Sequence, residues 1–83
     1  MAQQLKDIKE DRLLDCKGLL CPMPVVKAYQ AIKDLAPGQV LKVLATDPGS
    51  KADFPAWAEA TGNRLLGQRT GQDSTYAYWI QKK

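Results

Sequence analysis

The sequence contains no histidine. That absence removes the usual general base beside a nucleophilic cysteine, and it removes the commonest zinc ligand. Cysteine is nearly as scarce. Cys16 and Cys21 are the only two in 83 residues, too few for a four-thiolate metal site or a disulfide scaffold. We therefore expect no metal and no cofactor. Long hydrophobic runs are also missing. Residues 1–11 are polar and mixed in charge, without the apolar stretch of a signal peptide, and no later segment approaches a membrane span. The expected location is the cytoplasm, where both thiols stay reduced, and no membrane partner is expected. No Gly-x-Gly-x-x-Gly, P-loop or Gly-x-Ser-x-Gly pattern occurs, so there is no nucleotide-binding or serine-hydrolase signal. Nor does one sign of charge dominate. Twelve Lys and Arg against nine Asp and Glu leave a net +3, too small and scattered an excess to mark direct nucleic-acid binding.

What the chain does contain is a set of alternating elements. Residues 1–11 read as a flexible leader and 12–83 as a single small domain. Arg12 to Cys16 is the first strand, ending in Lys17-Gly18, where glycine permits a sharp turn. Gln39 to Thr46 is β-branched and almost continuously apolar, as a central strand would be. It is expected beside the first strand and parallel to it, because a helix lies between the two. Asp47-Pro48-Gly49-Ser50 opens a second helix, with Ser50 and Asp53 approximating a capping box and Pro55 in conflict with a regular start at Ser50. Gly62-Asn63 closes it. Arg64 to Thr70 and Thr75 to Lys82 form a final hairpin around Gly71-Gln72-Asp73-Ser74. The order is βαβαββ. It implies a two-layer α/β sandwich with a four-stranded sheet and both helices on one face.

The segment Gly18-Leu19-Leu20-Cys21-Pro22-Met23-Pro24-Val25 carries the chemistry. Proline suits the first turn of a helix, where its missing N–H has no intrahelical partner, so Pro22 and Pro24 mark a helix start. Apolar residues then recur at Val25, Ala28, Tyr29, Ile32 and Leu35, giving an amphipathic helix from about Pro22 to Leu35. Cys21 falls at its N-cap or just before it, where unpaired N–H groups and the positive end of the helix dipole favour a thiolate. Such positions lower a thiol pKa from about 8.5 to roughly 3.5–7.5. An unpaired cysteine is by default a small buried hydrophobe, but this context sets Cys21 at a helix end rather than on the apolar face. Cys16, at the end of the first strand, is either a half-buried strand residue or a resolving thiol, and the first suits it better.

Asp15, Gly18, Cys21, Pro22, Pro24 and Val25, spaced Asp-x-x-Gly-x-x-Cys-Pro-x-Pro-Val, resemble the signature of the TusA (SirA-like) sulfur-carrier family. Pro37-Gly38, Asp47-Pro48 and Asp53 match further along, and the resemblance runs from about Leu13 to the C-terminus. It implies a mixed sheet with one strand antiparallel to the other three. It also implies that Cys21 accepts a sulfane sulfur as a persulfide and passes it to a partner's cysteine, as a carrier rather than a multiple-turnover enzyme. The family's donors are cysteine desulfurases or rhodanese-like proteins, and its acceptors are DsrE-like. Its outlets are tRNA thiolation, cofactor biosynthesis and sulfur oxidation. Asp15 and Gly18 shape the turn before Cys21. From the residues alone two other readings stand: a non-catalytic RNA- or protein-binding module with a structural Cys21, and a redox pair built on Cys16 and Cys21. Lys17, Lys51 and Arg64 are candidate cations for a thiolate or an acidic partner.

Overall fold

The computed structural model describes residues 8–20, 22–71 and 73–83. Its elements follow the expected order: β1 (Arg12–Cys16), α1 (Met23–Ile32), β2 (Val40–Ala45), α2 (Ser50–Thr61), β3 (Arg64–Thr70) and β4 (Tyr76–Gln81). The sheet order is β1-β2-β4-β3, which makes the two most apolar strands the central ones. β1 and β2 pair parallel, while β4 runs antiparallel to both β2 and β3. One strand thus opposes the other three. Among the described residues no helix is long and apolar enough to cross a membrane.

Both helices cover one face. Alternation along the strands delivers Cys16, Leu41, Val43, Ala45, Tyr76, Tyr78 and Ile80 to that side, where they meet Ala28, Ala31, Ile32 and Leu35 near or in α1 and Phe54 of α2. Small Ala28 and Ala31 let α1 lie close to the sheet. Phe54 stacks on Tyr78 with ring centroids 4.5 Å apart, and Ser50 Oγ lies 2.6 Å from the Tyr78 hydroxyl in a buried hydrogen bond. The opposite face holds a smaller cluster of Ile8, Val40, Ala77 and Trp79, with Leu44 and Leu66 packed against it. Ile8 belongs to the segment expected to form a leader, and Asp11 joins β2 by donating its N–H to the Val40 carbonyl and accepting from the Val40 N–H. Residues 1–7 of that segment lie outside the described residues.

Three details differ from expectation. Regular helix stops at Ile32 rather than Leu35. Asp34 and Leu35 donate three residues back, to Ala31 and Ile32, and Lys82 Nζ donates to the carbonyls of Lys33 and Leu35. Tyr29 is 47% exposed instead of lying on the buried face. Its ring sits at the rim of a groove shared with Ala60 and Thr61 of α2, under the Lys33 ammonium at 4.3 Å. Finally, Ser50 is not a cap: Gly49 occupies the N-cap position, α2 begins at Ser50 and runs through Pro55. The Ser50 hydroxyl is drawn inward by Tyr78, and core burial of Phe54 and Ala58 holds the helix together across the hydrogen bond that Pro55 removes.

Candidate functional site

Parallel pairing of β1 with β2 sets their C-terminal ends, Cys16 and Ala45, side by side, and β4 begins at the same edge, with Tyr76 opposite Ala45. From that edge the chain enters α1 through residues 17–22 and α2 through 46–49. In open α/β sheets the crevice beyond the carboxyl ends of the strands is where ligands and reactive groups collect. Five of the six residues of the motif, Asp15, Gly18, Pro22, Pro24 and Val25, are described in the segments that lead from it into α1. The sixth, Cys21, lies outside the described residues.

The segment leading to Cys21 is tied down bond by bond. Asp15 Oδ1 accepts the Lys17 N–H at 3.0 Å, a local turn made by an aspartate side chain. Gly18 has φ +83°, in the left-handed region, and a Cβ there would meet nothing within 4 Å, so backbone conformation and not space selects glycine. Its N–H donates to Thr46 Oγ1 at 2.9 Å, across from the end of β2. The Leu19 N–H donates to the Cys16 carbonyl, and the Leu19 side chain packs on the core. Leu20 then turns outward and is 74% exposed. Past Cys21, Pro22 is the exposed N-cap of α1, with φ −97° and no side-chain cap bond. Pro24 is fully buried, anchoring the first turn in the core.

Several N–H groups before and at the start of α1 are already engaged. Those of Lys17, Gly18 and Leu19 are used by Asp15, Thr46 and Cys16, that of Met23 donates to the Leu20 carbonyl, and Pro22 and Pro24 have none.

Cys16 is a free thiol with 0% exposure. Burial pushes its pKa up; the Lys27 ammonium pulls it partly back and the Asp15 carboxylate adds to the rise. Lys27, exposed on α1, is a cation that the sequence does not single out, because its spacing puts it on the side of the helix away from the apolar residues. Of the cations that were, Lys51 sits over the Tyr76 ring at 5.4 Å, while Arg64 pairs with Gln81 at the opposite end of the sheet and takes no part. Lys17 lies within electrostatic reach of the β3–β4 turn: hydrogen bonds involving Thr75 hold the Asp73 carboxyl below the usual carboxylate range, and Lys17 contributes to the same effect. Asp47 serves the start of α2, accepting the Gly49 N–H on Oδ1 and the Ser50 N–H on its carbonyl. It is Thr46, one residue earlier, that touches the Cys21 segment. Sequence reasoning missed it, since only the in-register alignment of two parallel strands brings it there.

Comparison with known proteins agrees with this arrangement. The family model described as Sulfurtransferase TusA matches residues 12–82. YrkI of Bacillus subtilis (strain 168) is 47% identical over 75 residues, covering 90% of this chain and 99% of that one. The "Sulfur carrier protein TusA" of Pseudomonas entomophila (strain L48) is 44% identical over 79 residues, covering 95% and 98%. Among solved structures, the crystal structure of a SirA-like protein from Desulfitobacterium hafniense superposes with a TM-score of 0.76 at 25% identity, covering 84% of this chain and 95% of that one.

Proposed function

Since this chain belongs to the TusA family, we propose that it works as a sulfur carrier whose load rides on Cys21. The observation that carries the reading is similarity to a protein named a sulfur carrier over nearly the whole of both chains. The choice of Cys21 is supported by elimination. Its companion Cys16 is sealed in the core with a thiol biased toward the protonated form, whereas the residues flanking Cys21 include the outward-facing Leu20, Pro22 and Met23. The same burial disfavours a redox pair, because thiol–disulfide exchange needs access to both sulfurs.

The transfer balances without an external oxidant or reductant. The Cys21 thiolate attacks the outer sulfur of a donor persulfide, the donor's S–S bond breaks, and the donor thiolate leaves with that electron pair while a new S–S bond forms on Cys21. An acceptor thiolate then attacks the outer sulfur of the Cys21 persulfide, and the Cys21 thiolate is restored. With no histidine to act as partnered base, such exchange is chemistry this chain is equipped for, and hydrolysis is not.

Its partners are proteins that give and take sulfur: a cysteine desulfurase or rhodanese-like donor and a DsrE-like acceptor, feeding tRNA thiolation, cofactor biosynthesis or sulfur oxidation in the cytoplasm. Leu20, Met23 and Val26 leave apolar surface exposed beside the carrying residue, as a site for transient protein contact requires. Incubation with inorganic polysulfide followed by peptide mass spectrometry tests the reading. We expect one added sulfur on the Cys21 peptide of the wild type and of Cys16→Ala, and none on Cys21→Ser. Equal loading of Cys21→Ser would overturn the assignment.

A further inference from the structure

We infer that Thr46 is a positioning residue for Cys21, acting through its hydrogen bond to Gly18. The inference rests on the sulfur-carrier reading for its meaning, but its geometry is independent of that reading. The described residues between Cys16 and α1 lie mostly at the surface and are held by a handful of bonds. Lys17 and Gly18 are exposed, Leu20 faces outward, and Pro22 has no N–H to give. Two of those bonds are local, from Lys17 to Asp15 and from Leu19 to Cys16. Local bonds of that kind close a turn, but they do not say where the turn sits relative to the sheet.

Beside the packing of the Leu19 side chain on the core, the turn is tied to another element by the 2.9 Å bond from the Gly18 N–H to Thr46 Oγ1, spanning 28 positions of sequence. Thr46 directly follows β2, and Asp47 directly after it accepts the N–H groups of Gly49 and Ser50 at the start of α2. The hydroxyl is therefore mounted on rigid structure from both sides. It grips a glycine whose left-handed conformation few other residues would adopt, and which stands three positions before Cys21. Loss of the acceptor would leave the Gly18 N–H to solvent and free the turn to swing on its neighbours, weakening the helix-end placement that the sequence assigns to Cys21 and with it the preference for a thiolate.

Thr46→Val keeps the shape and removes the acceptor; Thr46→Ser keeps the acceptor and loses only a methyl group. Iodoacetamide labelling at neutral pH, followed by peptide mapping, reads the Cys21 rate directly and needs no sulfur donor. The sealed Cys16 reports in the same sample on loosening of the fold. We expect the Cys21 rate to fall about fivefold in Thr46→Val, the order that one such bond is worth in an equilibrium. Thr46→Ser should stay near the wild-type rate, and Cys16 should stay protected in both. An unchanged Cys21 rate in Thr46→Val would overturn the inference, as would an equal loss in Thr46→Ser or labelling of Cys16, either of which would mark a general loosening. A wild type that labels normally at Cys21 but takes up no sulfur would sink the carrier function and leave the positioning result to be judged by itself.

Discussion

Cys16 offers a titration that can be followed in solution. Burial favours its neutral form, so the folded protein keeps the thiol proton at pH values where the unfolded chain has lost it. The sign follows: stability is undiminished below the unfolded pKa of about 8.5 and declines as pH rises past it, until the folded thiol also ionises. We expect the urea midpoint of the wild type to fall above about pH 8.5. Cys16→Ala, about 1 kcal/mol less stable at neutral pH, should show a shallower alkaline decline. Parallel declines would mean that Cys16 does not titrate on unfolding in that window. Tyr78 is also pushed up, by burial against the opposing hydrogen bond with Ser50, and its window opens only near pH 10, above the onset of the Cys16 decline.

At the scale of the element, the ends of the helices decide more than their middles. α2 contains a proline and several small residues, and it is stopped by Gly62 at φ +77°. Its closing turn is then pinned: the Thr61 hydroxyl donates to the Trp57 carbonyl and accepts from Asn63 Nδ2, and Asn63 Oδ1 accepts the Lys83 N–H. Gly62→Ala should cost about 1–2 kcal/mol by forcing an L-residue into the left-handed region. Crowding adds little, because the nearest atom to the new Cβ is the movable side chain of Lys83 at 3.1 Å. Gly62→Asn should cost less, since asparagine enters that region more readily. Thermal melting of the pair checks the order, and equal melting temperatures would assign the effect to crowding. At the other helix, Lys82 Nζ closes α1 by bonding the Lys33 and Leu35 carbonyls, so the last residues of the chain serve the ends of both helices.

The whole molecule is a sheet with apolar residues on both faces, and only one face has helices to cover it. On the other, Trp79 is 5% exposed, lies opposite Gly67 at a bulge in β3, and has the Lys42 ammonium 5.0 Å from its ring centre. Its indole N–H is buried with no hydrogen-bond partner among the described residues. A buried unpaired donor costs about 1–3 kcal/mol, which offsets part of what the large ring contributes. Trp79→Ala should therefore lose about 3–5 kcal/mol, while Trp79→Phe, which keeps an aromatic ring and removes the donor, should lose less than about 1.5 kcal/mol. Urea denaturation measures both. Similar losses in the two variants would show that the N–H is satisfied after all.

Much of this arrangement was legible in the residues themselves, for a physical reason. Strand periodicity, the prolines at the start of α1, the glycine after α2 and the Cys-Pro-x-Pro segment express local preferences, and local preferences act over a few residues wherever the chain goes. They determined the order βαβαββ, the limits of β1 and β3, and the family resemblance. Ser50, Tyr29 and Thr46 were decided otherwise. Ser50 has the composition of a cap, but Tyr78, 28 positions away, took its hydroxyl. Tyr29 fits the apolar spacing, yet the close approach of α1 through Ala28 and Ala31 leaves a large ring at the rim. Thr46 reaches Gly18 only because β1 and β2 lie parallel and in register. Each of these depends on contacts between residues far apart in the chain, which no short window of sequence encodes and which exist only once the sheet has formed.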